Sequence, residues 1–423
     1  MSARRTEIGL GTRAQPQRVL AVGVGLHGHG RGRMQRSLDE LGRLVDTAGG
    51  IVVASTAQEV RRPDPATFLG SGKVEALASM VEEAGAELIA VDWELTPVQN
   101  KNLEDRLGVM VVDRTAVILD IFARRARSSE GKLQVELAQL RYLAPRLVGR
   151  GKIFSQQVGR IGTRGPGETA LEYDRRRVRD RITLLRRNLE RVRAHRTLHR
   201  KRRDAVPVPM VSLVGYTNAG KSTLMNALTE AGVFVEDKLF ATLDPTVRRL
   251  RLPSGREVLL ADTVGFISRL PHELVEAFKS TFEEAASSQV LLHVIDGSDE
   301  DARMQVEVVD GVLAELGMGQ RPRIEVVNKC DLSPRHYAGE SDSVSISAAK
   351  AQGLAALIER LDRMLRLEFR RVRLKLPMGR GDILSDIYRV GHVESVSYEA
   401  AGIVVDCELH RKHCGKYGEY AMG

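Results

Sequence analysis

The residue types and spacing at one segment near the middle of the chain predict a phosphate site. Gly215–Ser222 reads Gly-Tyr-Thr-Asn-Ala-Gly-Lys-Ser and follows the apolar run Met210–Val214. Glycines at both ends of this loop would let backbone N–H groups point at phosphate oxygens. Lys221 would reach the β and γ phosphates, and Ser222 would offer its hydroxyl to Mg²⁺. A helix starting at Thr223 would add favourable partial charge at its N-terminus.

Two later segments extend this site and select the base. Asp262-Thr263-Val264-Gly265 follows an apolar run, so that Asp262 can hold the Mg²⁺ shell through water and Gly265 can offer its amide to the γ phosphate. Asn328-Lys329-Cys330-Asp331 closes the run Ile324–Val327. The Asp331 carboxylate can accept from the N1–H and 2-amino group of guanine, a donor pair that adenine lacks.

A small-residue loop, Ser345–Ala349, follows and can border the base. Each motif alone also fits an ordinary strand-end turn, but four in this order and spacing predict a guanine-nucleotide site. The predicted nucleotide contacts are Gly215, Tyr216, Thr217, Asn218, Ala219, Gly220, Lys221, Ser222, Thr223, Asp262, Thr263, Val264, Gly265, Asn328, Lys329, Asp331, Ser347 and Ala348. Lys221 and Gly265 are also the first candidates for catalytic groups.

Charge is concentrated in one block. Between Arg150 and Arg203 there are 18 lysines and arginines against 5 acidic residues, a balance of +13, whereas the whole chain carries +9. Such a block predicts a polyanion partner, and the alternative is a solvated charged helix with no partner. The candidate RNA contacts are Arg150, Lys152, Arg160, Arg164, Arg175, Arg176 and Arg177, with Arg179 and Arg181 also placed to meet phosphates.

Length and composition limit the number of domains and the cellular compartment. A chain of 423 residues is long enough for two to four domains. Three cysteines give no disulfide framework and suit a reducing compartment. No apolar run approaches the length of a membrane span and the N-terminus lacks a signal-peptide core, so we expect a cytoplasmic protein, and a monomer by default.

The elements that must position these residues follow from hydrophobic periodicity. We predict a disordered segment at 1–16, an α/β domain at 17–127, a helical hairpin at 128–204, a nucleotide domain at 205–368 and a small α+β domain at 369–423. In the first domain, strands Val19–Val24, Ile51–Ser55, Leu88–Asp92 and Met110–Asp113 alternate with helices Ser37–Ala48, Lys73–Ala84 and Pro97–Leu107, which favours a parallel sheet.

The hairpin is predicted from two heptad stripes. One contains Leu133, Leu137 and Leu140, and the other Ile182, Leu185 and Leu189. A glycine-rich basic loop, Val148–Gly167, joins them, and Lys201–Asp204 is expected to be a linker. In the last domain we predict strands Arg371–Leu376, His392–Tyr398 and Gly402–Leu409, with a helix over Gly381–Val390.

Three other patterns match nucleotide or metal motifs only in part. Gly23–Gly28 has dinucleotide spacing, but the next strand ends at Ser55 without a carboxylate, and His29–Gly32 is predicted to be a loop. Gly70–Lys73 resembles the end of a phosphate loop; a turn before the Lys73 helix is favoured, with a second nucleotide or RNA phosphate as the alternative. His410, His413 and Cys414 are too crowded for a convincing metal site.

Several long strings in the chain resemble those of the HflX family of translational GTPases. They are Phe68–Glu75, Val112–Thr115, Gly131–Leu140, Gly162–Thr169, Phe240–Thr246 and Asp262–Ile267. Ala170 departs from the pattern, since the family usually has Gln there. The resemblance covers nearly the whole chain and implies an α/β fold class: an N-terminal parallel-sheet domain, an antiparallel helical hairpin, a Ras-like P-loop GTPase domain and a small C-terminal α+β domain.

The resemblance also implies a function. It implies hydrolysis of GTP to GDP, binding to the large ribosomal subunit and its RNA, splitting of stalled ribosomes under stress, and an ATPase activity that uses ATP in the N-terminal domain. Thr242 would be the third catalytic residue and would join Ser222 and Asp262 around Mg²⁺ as the first switch, while Asp262 to about Glu284 would form the second switch.

Two residues bear on the hydrolysis step. Phe266 stands where Ras-like enzymes place the glutamine that orients water, so we predict slow intrinsic hydrolysis that a partner accelerates. Asn218 stands where potassium-dependent GTPases place an asparagine beside K⁺; the alternative is that it only shapes the loop. Two other functions remain open at this point: a ribosome-assembly or RNA-binding switch that splits nothing, and a tRNA-modification GTPase.

Overall fold

The computed structural model describes residues 16–26, 31–147, 170–203, 208–229, 239–269, 285–332, 336–400 and 402–422. The chain divides into two compact units. The first unit comprises Met1–Leu189, Glu236–Asp244 and Arg269–Phe278, and the second comprises Glu190–Val235, Pro245–Ser268 and Lys279–Gly423. Residues 239–244 and Arg269 of the predicted nucleotide domain therefore group with the N-terminal residues.

The first unit is built on a four-stranded parallel sheet, β1 (Arg18–Leu26), β2 (Ile51–Val60), β3 (Leu88–Val91) and β4 (Met110–Asp113), in the order β2-β1-β3-β4. All four residues of β3 are buried, as expected for a central parallel strand covered on both faces. The four predicted strands are confirmed, although β1 and β2 extend beyond their predicted ends.

Three helices alternate with these strands: α1 (Arg31–Thr47), α2 (Ser71–Ala84) and α3 (Pro97–Leu107). Thr96 and Gln99 form a capping box at the start of α3. The prediction of a loop over His29–Gly32 was wrong for Arg31 and Gly32, which lie in α1. In this helix Met34 packs over Gly25 of β1, where a Cβ would meet the Met34 sulfur at 3.1 Å.

A fourth helix, α4 (Arg114–Arg125), was not predicted. Its N-cap is Asp113, whose side chain accepts a hydrogen bond from the Ala116 N–H at 2.9 Å. Every residue from Arg114 to Phe122 is buried. Because polar and apolar positions are buried alike, the segment lacks the one-sided pattern by which an amphipathic helix is predicted.

The predicted hairpin helices are α5 (Ser129–Leu143) and α6 (Ala170–Arg203). Leu137 packs with Leu185 and Leu189, as the heptad stripes predicted. The prediction that Lys201–Arg203 belong to a linker was wrong, since α6 continues through them; the basic loop Val148–Gly167 lies outside the described residues.

The described residues of the second unit contain a six-stranded sheet with accompanying helices. Its elements are β5 (Met210–Gly215), α7 (Lys221–Thr229), β6 (Thr246–Arg251), β7 (Glu257–Asp262), β8 (Val290–Asp296), α8 (Ala302–Glu315), β9 (Arg323–Asn328), β10 (Val344–Ser345) and α9 (Leu354–Glu368). The strand order is β10-β9-β8-β5-β7-β6, with β6 antiparallel to its neighbour. The parallel strands β5, β7 and β9 therefore end at one edge, where all the nucleotide motifs begin.

The same unit ends in a three-stranded antiparallel sheet of β11 (Phe369–Leu376), β12 (Gly391–Glu399) and β13 (Gly402–His410), with β13 central. Helix α10 (Gly381–Val390) packs Ile387 against the buried residues of that sheet, so the predicted strands and helix of this α+β segment are confirmed. Arg256, in the turn between β6 and β7, forms an ion pair with Glu408 and lies 4.5 Å above the Phe369 ring.

Candidate functional site

The loop after β5 can be formed only with glycine at both of its ends. Gly215 has a φ of 150° and Gly220 a φ of 92°, both in the region that favours glycine. A Cβ on Gly215 would overlap the Val294 carbonyl of β8, and one on Gly220 would overlap the Asn328 side-chain amide. The predicted glycines therefore fix how closely the phosphate loop approaches its neighbouring strands.

Lys221 occupies the centre of this loop. It is 6% exposed, and its Nζ donates to the carbonyl oxygens of Gly215 at 3.1 Å and Tyr216 at 2.7 Å. Burial lowers the pKa of Lys221 to about 8, and the negative charge of Asp262 partly opposes this shift. A desolvated ammonium group gains strongly from an anionic neighbour, so the loop favours a phosphate beside Lys221.

The two oxygens expected beside Mg²⁺ lie next to each other. Ser222 Oγ donates to Asp262 Oδ2 at 2.7 Å, and Asp262 is fully buried at the end of β7. The Thr263 hydroxyl donates to the Leu213 carbonyl at 2.7 Å, which fixes the chain just after Asp262. A hydroxyl and a carboxylate are hard oxygen donors of the kind that Mg²⁺ prefers, so Ser222 and Asp262 fit the ion. Thr242, the third predicted metal residue, belongs to the first unit.

The start of the predicted second switch is bound to the phosphate loop. The Thr217 N–H donates to the Phe266 carbonyl at 2.7 Å, and the Phe266 N–H donates to the Gly215 carbonyl at 3.1 Å. A Cβ on Gly265 would lie 2.8 Å from Thr217 Cα, so this approach requires glycine. Phe266 is fully buried, and its side chain cannot orient a water molecule.

Tyr216 adds a contact that the sequence motif did not reveal. Its hydroxyl accepts a hydrogen bond from the Ser268 N–H at 2.7 Å, although Tyr216 itself is nearly buried. The phosphate-loop tyrosine therefore holds the chain two residues beyond Phe266. A buried tyrosine usually finds a hydrogen-bond partner for its hydroxyl, and this was the only signal in the sequence for such a contact.

Asn328 joins the phosphate loop to the predicted base loop. Its Nδ2 donates to the Ala219 carbonyl at 2.9 Å, and its Oδ1 accepts from the Ala348 N–H at 3.0 Å. Lys329 has a φ of 61° and forms an ion pair with Asp296 at 2.6 Å. Asn328 thus supports the site by connecting two loops.

Asp331 is prepared to act as an acceptor. The Ser347 hydroxyl hydrogen-bonds to its carboxylate and lowers the pKa of Asp331, and Lys350 lies 3.4 Å away with the same effect. The carboxylate is therefore ionised at neutral pH and retains the two acceptor oxygens that a guanine base requires.

The remaining predicted residues have varied positions. Arg175 is half-buried on α6 while Arg176 and Arg177 are exposed, whereas Arg150, Lys152, Arg160 and Arg164 lie outside the described residues. Arg181 was predicted to face phosphates. It instead forms a bidentate ion pair with Glu136, in which Arg181 Nε lies 2.6 Å from Glu136 Oε1. That prediction was wrong because α5 brings a carboxylate to the same helix face.

The two other glycine patterns belong to ordinary elements of the first unit. Gly23 and Gly25 lie inside β1. Gly70 is the N-cap of α2, and Lys73 Nζ donates to the Thr56 hydroxyl at 2.6 Å.

In the part of the chain that the structure describes, no helix is both long and apolar enough to cross a bilayer.

Three stretches of the chain match models of known protein families. Residues 35–123 match the family described as "GTP-binding GTPase N-terminal", residues 125–203 its "Middle Region", and residues 210–329 the family described as "50S ribosome-binding GTPase". A solved GTP-binding protein from Sulfolobus solfataricus in complex with GDP matches with a TM-score of 0.44 and 22% identity, over 82% of this chain and 98% of that one.

Two curated relatives are much more similar. The GTPase HflX of Caldanaerobacter subterraneus is 50% identical over 375 residues, which is 89% of this chain and 88% of the relative. The GTPase HflX of Escherichia coli is 45% identical over 374 residues, or 87% and 88% of the two chains. At this identity and coverage, this chain belongs to the HflX family of GTPases.

Proposed function

We propose that this protein hydrolyses GTP in the cytoplasm to control its binding to the large ribosomal subunit, and that it splits stalled or idle ribosomes. The observation that carries the proposal is the guanine-nucleotide site on a domain whose family is described as ribosome-binding. The basic block from Arg150 to Arg203 supplies the charge for an RNA partner.

The nucleotide chemistry follows from the described residues. Lys221 binds the β and γ phosphates, and the Asp331 carboxylate selects guanine. Ser222 and Asp262 would hold Mg²⁺, Asp262 through water, and the family resemblance assigns Thr242 to the same ion as the first switch. Bound Mg²⁺ would supply positive charge beside the phosphates.

Hydrolysis requires a group that the described site lacks at the usual position. Phe266 is buried where Ras-like enzymes place the glutamine that orients water. We therefore infer slow intrinsic hydrolysis, which the ribosome accelerates by completing the site. A K⁺ ion held beside Asn218 would supply additional positive charge near the transferring phosphate.

Binding to the large subunit is tested by co-sedimentation. Replacing Arg175, Arg176 and Arg177 with Glu reverses three charges on α6 and should abolish both pelleting with large subunits and stimulation of hydrolysis. Fluorescent GTP titration on the same preparation should give an unchanged Kd, because the nucleotide motifs lie in the second unit. Wild-type pelleting should weaken steeply as salt rises, since counterion release drives such binding.

A matched control is available on the same helix. Arg186, Arg187 and Arg191 are exposed and lie outside the predicted contact set, and changing them to Glu makes an equal change of charge. Normal pelleting of the Arg175–Arg177 variant would place the ribosome contact elsewhere and leave the basic helix a solvated surface.

The second candidate function is a ribosome-assembly or RNA-binding switch that binds the same subunit without splitting ribosomes. The nucleotide site and the basic block support it equally. Sedimentation of intact ribosomes separates the two, because only a splitting factor converts them into subunits.

A further inference from the structure

The predicted first switch is attached to the N-terminal residues through Asp244. Its Oδ2 accepts hydrogen bonds from the backbone N–H groups of Arg127 and Ser128, each at 2.7 Å, and its Oδ1 accepts from the Ser128 hydroxyl. Ser128 is the N-cap of α5. A carboxylate that accepts three hydrogen bonds at a helix N-terminus is strongly held, because both the donors and the helix dipole favour its charge.

Helix α5 leaves space for that carboxylate at Gly131. A Cβ built on Gly131 would lie 2.5 Å from Asp244 Oδ1, well inside contact distance. Glycine is a poor helix former, and it lies here in the first turn of a helix. Contact with Asp244 gives a physical reason for glycine at this position.

A second attachment lies on the other side of Thr242. The Phe240 ring packs edge-on against Phe122 of α4 with centroids 4.8 Å apart, and Phe240 is 2% exposed. Phe240 has a φ of 54°, a left-handed conformation that is strained for a bulky residue. Thr242 therefore lies between two anchored residues, the buried Phe240 and the hydrogen-bonded Asp244, each two positions away.

The last residue that the structure describes before 270–284 makes similar contacts. Arg269, which precedes the undescribed part of the predicted second switch, donates to the Asp92 carbonyl at 3.0 Å and lies 4.7 Å above the Trp93 ring. Its φ of 53° is again left-handed. Phe240, Asp244 and Arg269 thus contact α4, the start of α5 and the residues just after β3, and all of these residues belong to the first unit.

We propose that Asp244 and Phe240 are positioning residues that hold Thr242 for GTP hydrolysis, so that the start of α5 in the N-terminal part of the chain sets the hydrolysis rate. This inference rests on the proposed function, in which Thr242 closes over Mg²⁺ and the γ phosphate. Asp244 is also close in sequence to the strand that pairs with Asp262. Asp244 stands two residues before Thr246, the first residue of β6, which pairs with Asp262.

The test is Gly131→Ala, which displaces the Asp244 carboxylate without changing any residue of the nucleotide motifs. Alanine is the better helix former, so α5 itself should not lose stability. We expect kcat for GTP to fall about tenfold, which corresponds to about 1.4 kcal/mol in the barrier. The Kd for GDP should stay unchanged, because the phosphate loop and Asp331 are untouched.

Gly42→Ala is the matched control. Gly42 lies in α1 of the same unit, and a Cβ there would meet no atom within 4 Å. Its hydrolysis rate and GDP affinity should both match the wild type. If Gly131→Ala behaves like Gly42→Ala, or if its kcat rises, the positioning role of Asp244 is overturned.

Asp244→Ala provides an independent variant should Gly131→Ala fold poorly. It should lower kcat to a similar extent, and the double variant should lose no more than either single one, since both remove the same contact. Ser128→Thr keeps the hydroxyl and should retain the wild-type rate. A wild-type protein that neither binds GTP nor hydrolyses it would contradict the proposed function itself, whereas an active wild type with indifferent variants would contradict only this inference.

Discussion

Asp331→Asn should change which base the protein binds. The Ser347 hydroxyl and Lys350 hold the Asp331 carboxylate ionised, and we expect it to accept two hydrogen bonds from guanine. An asparagine in the same place offers one acceptor and one donor group. Its amide can pair with the carbonyl at position 2 of xanthine, while one donor of guanine is left without a partner.

The magnitude follows from the type of contact. A hydrogen bond to a charged group contributes about 1.5–3 kcal/mol, so losing a charged pair costs on the order of 3–6 kcal/mol. Since about 1.4 kcal/mol is tenfold in affinity, GTP binding should weaken by roughly 10²–10⁴-fold. Affinity for xanthosine triphosphate should rise, and it should exceed that for GTP in the variant.

The assay is a titration of both fluorescent nucleotides against wild-type protein and variant. Asp342→Asn is the control, because it makes the same charge change at a carboxylate that is 79% exposed and pairs with Arg360. A wild-type protein that binds ATP and GTP equally well at the phosphate loop would refute the reasoning, as would a variant that still prefers GTP to xanthosine triphosphate.

Two further predictions concern salt and pH. Basal hydrolysis should be faster in K⁺ than in Na⁺ at equal ionic strength, and Asn218→Gly, which tolerates the φ of 62° there, should remove the difference; equal wild-type rates would leave Asn218 a loop-shaping residue. Burial on β8 lowers the pKa of His293 to about 4, against the opposing charge of Asp310 and with the help of Arg323 and Lys221. The neutral imidazole contributes its full stability above pH 6.5 and loses it as pH falls toward 4, so about 2 kcal/mol should be lost by pH 5. His293→Gln should show a smaller drop in Tm between pH 7 and pH 5, and an equal drop would contradict this assignment.

The sequence predicted the elements whose pattern reflects one buried face or a known loop chemistry. The phosphate loop, Asp262 and Asn328 were found because each motif follows a short apolar strand and needs a particular residue type. The α10 helix and its sheet were predicted closely, since their periodicity is regular. Helix α4 was missed because residues on all its sides are buried, so that no periodicity distinguishes it from a buried strand.

Contacts between segments distant in sequence could not be predicted in the same way. Asp244 reaches the start of α5 across 116 positions of chain from Ser128, and no local pattern encodes that pairing. Arg181 looked available for phosphates until α5 placed Glu136 beside it. In the sequence, Gly131 stood out only as part of a string shared with the family. The structure explains why glycine is there, because the Asp244 carboxylate lies beside it.

The most direct test of the proposed function is sucrose-gradient sedimentation of intact ribosomes with this protein and GTP. We predict that ribosomes convert to separate subunits, with the protein in the large-subunit fraction, and that Lys221→Ala leaves them intact because its nucleotide site is disabled. Ribosomes that stay intact while the wild-type protein binds them and hydrolyses GTP would contradict splitting and favour the RNA-binding switch.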